Sequence, residues 1–223
     1  DAVSSDRRVD VLLPAMANLH SHTFQRGMAG LTEHRAAGRD SFWTWREVMY
    51  RFVAELSPED VGTIAAMAFV EMLEAGFGSV AEFHYVHHAP GGVPYADRAE
   101  LSGRVMAAAG RSGIGLTHLP VLYTHGGAGG LPLSGGQRRF GNGVGEFAGL
   151  VDAVRAHSGL PDLRIGIAPH SLRATTPEEL AEALPLARGG PVHIHIAEQP
   201  KEVEEIRGWL GARPVEWLLT HAP

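Results

Sequence analysis

An α/β fold built on a parallel sheet is predicted by three features of the sequence. Short apolar runs alternate with amphipathic stretches, five times over. Each short run turns polar only at its C-terminal end, as parallel strands do when helices cover one side. The intervening stretches open with helix-capping residues and close on glycine. Repeated βα units imply right-handed crossovers, and leave two architectures: a doubly wound sheet or part of an eight-stranded barrel.

The strand runs are Leu12–His20, Gly78–Tyr85, Ile114–Tyr123, Leu163–His170 and Pro191–Glu198. The first helix opens at Ser57-Pro58-Glu59-Asp60, with serine as N-cap, proline at the first position and acids over the positive dipole end. Val61, Ile64, Ala65, Ala68, Phe69, Met72 and Leu73 follow at helical spacing, and Gly76 ends it. Ala96–Gly110 and Val144–Ser158 supply the next two. Thr176-Pro177-Glu178-Glu179 is another capped start, with Leu180, Ala183, Leu184 and Ala187 on one face. Pro200 to Trp209 opens the fifth, which the reading carries to Pro223. Gly126–Gly145 has the glycines of a phosphate loop but lacks the Gly-Lys-Ser/Thr ending, and reads as a long flexible loop. No Gly-x-Gly-x-x-Gly follows the first strand, which weakens a dinucleotide-binding reading. No linker splits the chain, so residues 1–223 read as a single domain.

Composition removes several functions. Lys+Arg number 19 against Asp+Glu 25, a net charge of −6 with no basic run, so nucleic acid is not the partner. The chain has no cysteine, which excludes disulfides, thiolate metal sites and cysteine nucleophiles and leans toward a reducing, cytoplasmic setting. The most apolar stretch, Val61 to Val80, is broken by Glu71 and Glu74 and falls short of the ~20 uncharged residues of a membrane span. No secretory apolar region opens the sequence. What stands out is 13 histidines and 28 glycines.

The histidines cluster at strand ends. In Asn18-Leu19-His20-Ser21-His22, imidazoles two residues apart on extended chain share one face and can reach a single ion. Alone, such a pair is often incidental surface. A second pair, His193 and His195, ends the fifth strand, with Val192, Ile194 and Ile196 on the opposite face. Histidines inward and isoleucines outward suit a barrel interior with a polar mouth, where strand C-termini carry the chemistry. His195, nearer the mouth, is the stronger third ligand; His193 reads as a hydrogen-bonded core histidine. Glu198 follows where strand becomes loop. It reads either as a proton shuttle to a metal-activated water or as an acid heading the next helix. His170 ends the fourth strand and Arg173 follows in the loop, a cation placed to hold an anionic substrate or simply solvated. His84, Tyr85, His87 and His88 close the second strand; Tyr85 or His84 can line the mouth. Phe42-Trp43-Thr44-Trp45-Arg46 reads as a pocket wall or as a packed loop.

This pattern resembles the amidohydrolase superfamily of metal-dependent barrels. Four segments narrow it to the formimidoylglutamate deiminases: Asn18 to Arg26, Phe42 to Arg46, Ala168 to Arg173 and His193 to Gln199. The resemblance implies a partial (β/α)8 TIM-type barrel of about five βα units. Such proteins are about twice as long, so the flanking β-sandwich, three further βα units, a sixth-strand histidine and an eighth-strand aspartate lie outside this chain. It implies that His20, His22 and His195 bind one divalent metal: zinc, or iron or another divalent ion. Glu198 becomes the catalytic acid/base, and Gln25, Arg46, Tyr85, His170 and Arg173 bind substrate. The implied reaction is deimination of N-formimino-L-glutamate to N-formyl-L-glutamate and ammonia, a step of histidine degradation, with a small anionic substrate, no nucleic acid and no membrane. It leaves a homodimer open. Two other functions stay in view: a deaminase of the same superfamily acting on a purine, pyrimidine or triazine, and a metal-binding barrel without catalysis.

Overall fold

The computed structural model describes residues 9–32, 42–157 and 159–222, without the side chains of Phe42 and Trp43. The elements run β1 (Met16–Ser21), α1 (Phe42–Glu55), α2 (Pro58–Glu74), β2 (Phe77–His84), α3 (Glu100–Ser112) and β3 (Gly115–Leu122). They continue with α4 (Val144–Ala156), β4 (Leu163–Ile165), β5 (Ala168–Pro169), α5 (Pro177–Ala183), α6 (Pro200–Leu210) and α7 (Pro214–His221). All ladders are parallel, in the order β1-β2-β3-β4, with β5 also on β3.

The helix starts follow their capping chemistry. Ser57 Oγ accepts from the Asp60 amide at 3.1 Å, and the Ser57 amide donates back to the Asp60 carboxylate at 3.0 Å. Thr176 and Glu179 repeat the exchange at α5. Phe69 of α2, Val105 of α3 and Phe147 and Val151 of α4 are wholly buried in the core that also holds Leu116, Leu119 and Val121 of β3. A smaller cluster joins Leu172, Leu180, Ile206 and Trp217 under α7. Among the described residues no helix is long and apolar enough to cross a membrane.

Several expectations need correction. The first strand starts at Met16 rather than Leu12: Met16 pairs with Phe77, the first residue of β2, and among the described residues no strand pairs with residues 12–15. Leu12 and Leu13 are accordingly exposed, at 85% and 76%. The fourth strand splits into β4 and β5 around Gly166. A side chain there would run into the Pro191 carbonyl, so glycine is what lets the following segment approach. The fifth run, Pro191–Glu198, builds no ladder. It lies beside β5 as extended chain, held by an Ile167–Val192 bridge and by His193 N–H to Ile167 O (3.1 Å) and His195 N–H to His170 O (2.9 Å). The Phe42–Arg46 segment is the first turn of α1, not a loop, with Met49 and Val53 on its buried face. The last helix is two: Gly211, at φ 77°, ends α6, and Pro214 starts α7.

The Gly126–Gly145 stretch also holds more structure than a flexible loop. It contains a 3-10 turn at Gly135–Arg139, with Gln137 and Arg139 buried. The Arg139 guanidinium donates to His88 O at 2.8 Å and to Val53 O, tying the loop to α1. His193 is half-buried in this chain, its backbone N–H bonded to Ile167 O.

A group of buried polar side chains lies on β2, just after it and on β3. Burial, then neighbouring imidazoles, hold His118 down to about 3 and His84 and His87 well below their ordinary 6.5. These groups stay neutral in the fold while the unfolded chain gains protons below pH 6.5, so stability is lost as pH falls through that value, at most about 1.4 kcal/mol per pH unit for each. Glu82 opposes them. Burial pushes its carboxyl up to about 7 from 4.5, so its own contribution rises as pH falls between those values. Three histidines outweigh one carboxyl. The melting temperature is therefore expected to drop steeply from pH 6.5 to 5; a flat profile would show that these imidazoles already carry protons in the fold.

Candidate active site

Side chains from the C-terminal ends of the strands converge on a cavity of about 330 Å³. All nine residues singled out from the sequence line it: His20, His22, Gln25, Arg46, Tyr85, His170, Arg173, His195 and Glu198.

His20 lies near the end of β1 and His22 one residue past it. Their Nε2 atoms are 3.2 Å apart, and His195 Nε2 is 3.2 Å from that of His20. One nitrogen from each of the three lies within 4.8 Å of the others. Two ligands at Zn–N of roughly 2.0–2.1 Å in a tetrahedron stand about 3.3–3.4 Å apart, so the spacing suits such an ion. Protonation suits it too. Burial lowers all three pKa values, His22 to about 3 and His195 to about 4; His195 and His20 push His22 down further, His20 and Arg173 do the same to His195, and His193 lowers His20. His22 Nδ1–H donates to the Phe83 carbonyl at 2.8 Å, which leaves the Nε2 lone pair pointing away. Phe83 also stacks on the His195 ring at 4.2 Å. Three neutral imidazoles with converging lone pairs fit a borderline-soft divalent cation.

Glu198 sits at the rim, between the extended segment and α6. Its backbone N–H donates to the buried Glu202 carboxylate at 3.0 Å. Glu198 precedes the Gln199 N-cap, so its own carboxylate is left for the cavity. Burial raises its pKa and Arg173, 3.7 Å away, partly restores it. Arg173 is thus close to the catalytic candidate as well as to the space a substrate would fill.

The opposite wall comes from α1 and the chain after β1 and β2. Gln25 Nε2 donates to the Tyr85 hydroxyl at 2.8 Å. Arg46 Nε donates to the Tyr50 hydroxyl at 2.6 Å, one helical turn on. His170 is buried, its Nδ1 3.0 Å from Ser171 Oγ, and its ring packs 4.6 Å from Tyr123.

Sequence reasoning missed Met49, Tyr50, Tyr123 and Phe140, which also line the cavity, and Glu202 beneath Glu198. Tyr50 was findable once α1 is read as a helix, four residues after Arg46. Tyr123 ends the third strand run, the position where barrel chemistry collects. Phe140 comes from the glycine-rich loop and carried no local signal.

The model of the amidohydrolase family matches residues 11–220. A formimidoylglutamate deiminase of Pseudomonas aeruginosa is 53% identical over 98% of this chain and 48% of its own length. A crystal structure described as an amidohydrolase, from Brucella melitensis, is 53% identical with a TM-score of 0.89, over 93% of this chain and 46% of that one. An atrazine chlorohydrolase of Arthrobacter aurescens, solved with zinc and atraton, shares the fold at 20% identity and a TM-score of 0.76, over 94% of this chain and 46% of that one. The chain spans about half the length of the relatives it matches.

Proposed function

The chain belongs to the amidohydrolase family, and from that premise we propose that it supplies the metal centre, acid/base and carboxylate clamp of a formimidoylglutamate deiminase. The reaction is hydrolysis of N-formimino-L-glutamate to N-formyl-L-glutamate and ammonia. One observation carries the reading: two arginines, Arg46 and Arg173, line the same cavity as three converging imidazoles and Glu198. The identity to the Pseudomonas aeruginosa deiminase supports it. The chain is then the N-terminal part of a (β/α)8 barrel, with the flanking β-sandwich and the last three βα units lying outside it, in a cytoplasmic enzyme.

His20, His22 and His195 would hold one divalent ion, zinc by their donor type. That ion would activate water and polarise the formimino group as a Lewis acid. Glu198 takes the proton from the attacking water and returns one to the departing nitrogen, so that ammonia leaves and the formyl oxygen remains. Burial raises its pKa toward working pH, which suits both halves of that duty. Arg46 and Arg173 hold the glutamate carboxylates; Gln25, Tyr85 and His170 fix the rest of the substrate by hydrogen bonds.

The test is turnover of formiminoglutamate against guanine and cytosine by the whole protein, together with Arg173→Lys. Lysine keeps the charge but loses the bidentate fork. Hydrogen bonds to charged groups are worth about 1.5–3 kcal/mol, so kcat/KM for formiminoglutamate is expected to fall roughly 10–150-fold, with zinc content unchanged. A carboxylate clamp shows mainly in KM; a loss confined to kcat would place Arg173 in the service of Glu198 instead. If Arg173→Lys and Arg46→Lys both leave the kinetics intact, a deaminase of neutral heterocycles becomes the better reading.

A further inference from the structure

On the face of the sheet opposite Phe83, the buried carboxyl of Glu82 reaches the segment that carries His22. Glu82 is wholly buried on β2, paired in register with Ser21 on β1 and His118 on β3. Its Oε1 accepts from Thr23 N–H at 2.8 Å and from Thr23 Oγ1–H at 2.8 Å. The Ser21 hydroxyl lies beside the same carboxyl. Those donors come from the two residues that flank His22.

Thr23 begins a 3-10 turn, Thr23–Met28, that has no capping side chain from its N-cap residue, His22. Its first amide is satisfied across the sheet by Glu82. The next residue on β2, Phe83, fixes the other end of the same unit by accepting from His22 Nδ1. Adjacent residues of one strand therefore hold the chain just after His22 and the His22 ring, Glu82 through its side chain and Phe83 through its backbone carbonyl.

We propose that Glu82 is a positioning residue for the metal centre, pinning the chain at Thr23 so that the His22 ring meets those of His20 and His195. The proposal rests on the metal reading above. Groups that orient metal ligands commonly change affinity by roughly 10–100-fold when removed, without touching the ion or the substrate.

The experiment is zinc affinity of the whole protein by chelator competition, with melting temperature, kcat and KM measured at saturating zinc. Glu82→Ala is expected to weaken zinc roughly 10–100-fold while kcat and KM stay within about threefold once zinc is saturating. Glu82→Gln keeps an oxygen for both Thr23 donors and should recover most of the affinity. Should Glu82→Ala not fold, Thr23→Val decides: it deletes the hydroxyl bond alone, is nearly isosteric, and is expected to weaken zinc several-fold. Wild-type zinc affinity in every folded variant would overturn the proposal, even if the melting temperature falls, since a purely structural carboxyl would give that result. Absence of zinc binding by the wild-type protein would instead remove the metal reading.

Discussion

Replacing Glu198 with glutamine is expected to lower turnover of formiminoglutamate by roughly 10²–10⁴-fold while zinc stays bound. Glutamine nearly matches the shape of the side chain but carries no proton between water and nitrogen. The environment of Glu198 suits a group that must do both: burial pushes its pKa up, and Arg173 at 3.7 Å keeps it from rising without limit. The substitution also leaves its neighbours in place. The Glu198 backbone stays bonded to Glu202, and the three imidazoles make no hydrogen bond to the Glu198 carboxylate among the described residues. Steady-state kinetics and zinc content of the purified variant check it. A loss under about tenfold would contradict the acid/base role.

The site was more legible in the sequence than the strands that carry it. His20, His22, His195 and Glu198 are readable because two-residue spacing on extended chain fixes a shared face, and a strand's end fixes a place. That logic survives even though Pro191–Glu198 builds no ladder: alternate residues still bond to residues 167 and 170, so the chain is extended where it matters. What failed was extent. Whether Leu12 belongs to a strand depends on where β2 begins, 60-odd residues away, and the apolar run itself carries no trace of that. Gly166 looked like one more strand residue; only the approach of Pro191 gives it meaning. The helix over Phe42–Glu55 was missed for a different reason. Its spacing of Trp45, Met49, Phe52 and Val53 is helical, but the aromatic cluster at its start also fits a pocket wall. Both were true: Trp45 and Arg46 line the cavity from that helix. Glu82 had no signal at all, since a single acid in an apolar strand is informative only when its partner on the next strand is known.

Replacing His20 with alanine is expected to remove zinc from the protein, an effect well beyond the roughly 10–100-fold that a neighbouring, non-ligating group commands. His20 is the sharpest of the three positions for this test. Its Nε2 stands 3.2 Å from both His22 Nε2 and His195 Nε2, so it is the ligand that the other two share. It is also the least tied to its surroundings, since His22 is bonded to the Phe83 carbonyl and His195 is stacked on the Phe83 ring. Alanine at His20 leaves the His22 bond to the Phe83 carbonyl and the His195 stack on the Phe83 ring in place, so loss of metal can be read apart from loss of fold. Metal analysis of the variant should show little zinc at an unchanged far-ultraviolet spectrum, and added zinc should not restore turnover at concentrations that saturate the wild type. Unchanged occupancy would mean that His22 and His195 hold the ion with some other group. The two would then be left with one nitrogen each and a partner elsewhere in the cavity, and the acid/base role of Glu198, which depends on water being held beside it, would lose its footing with them.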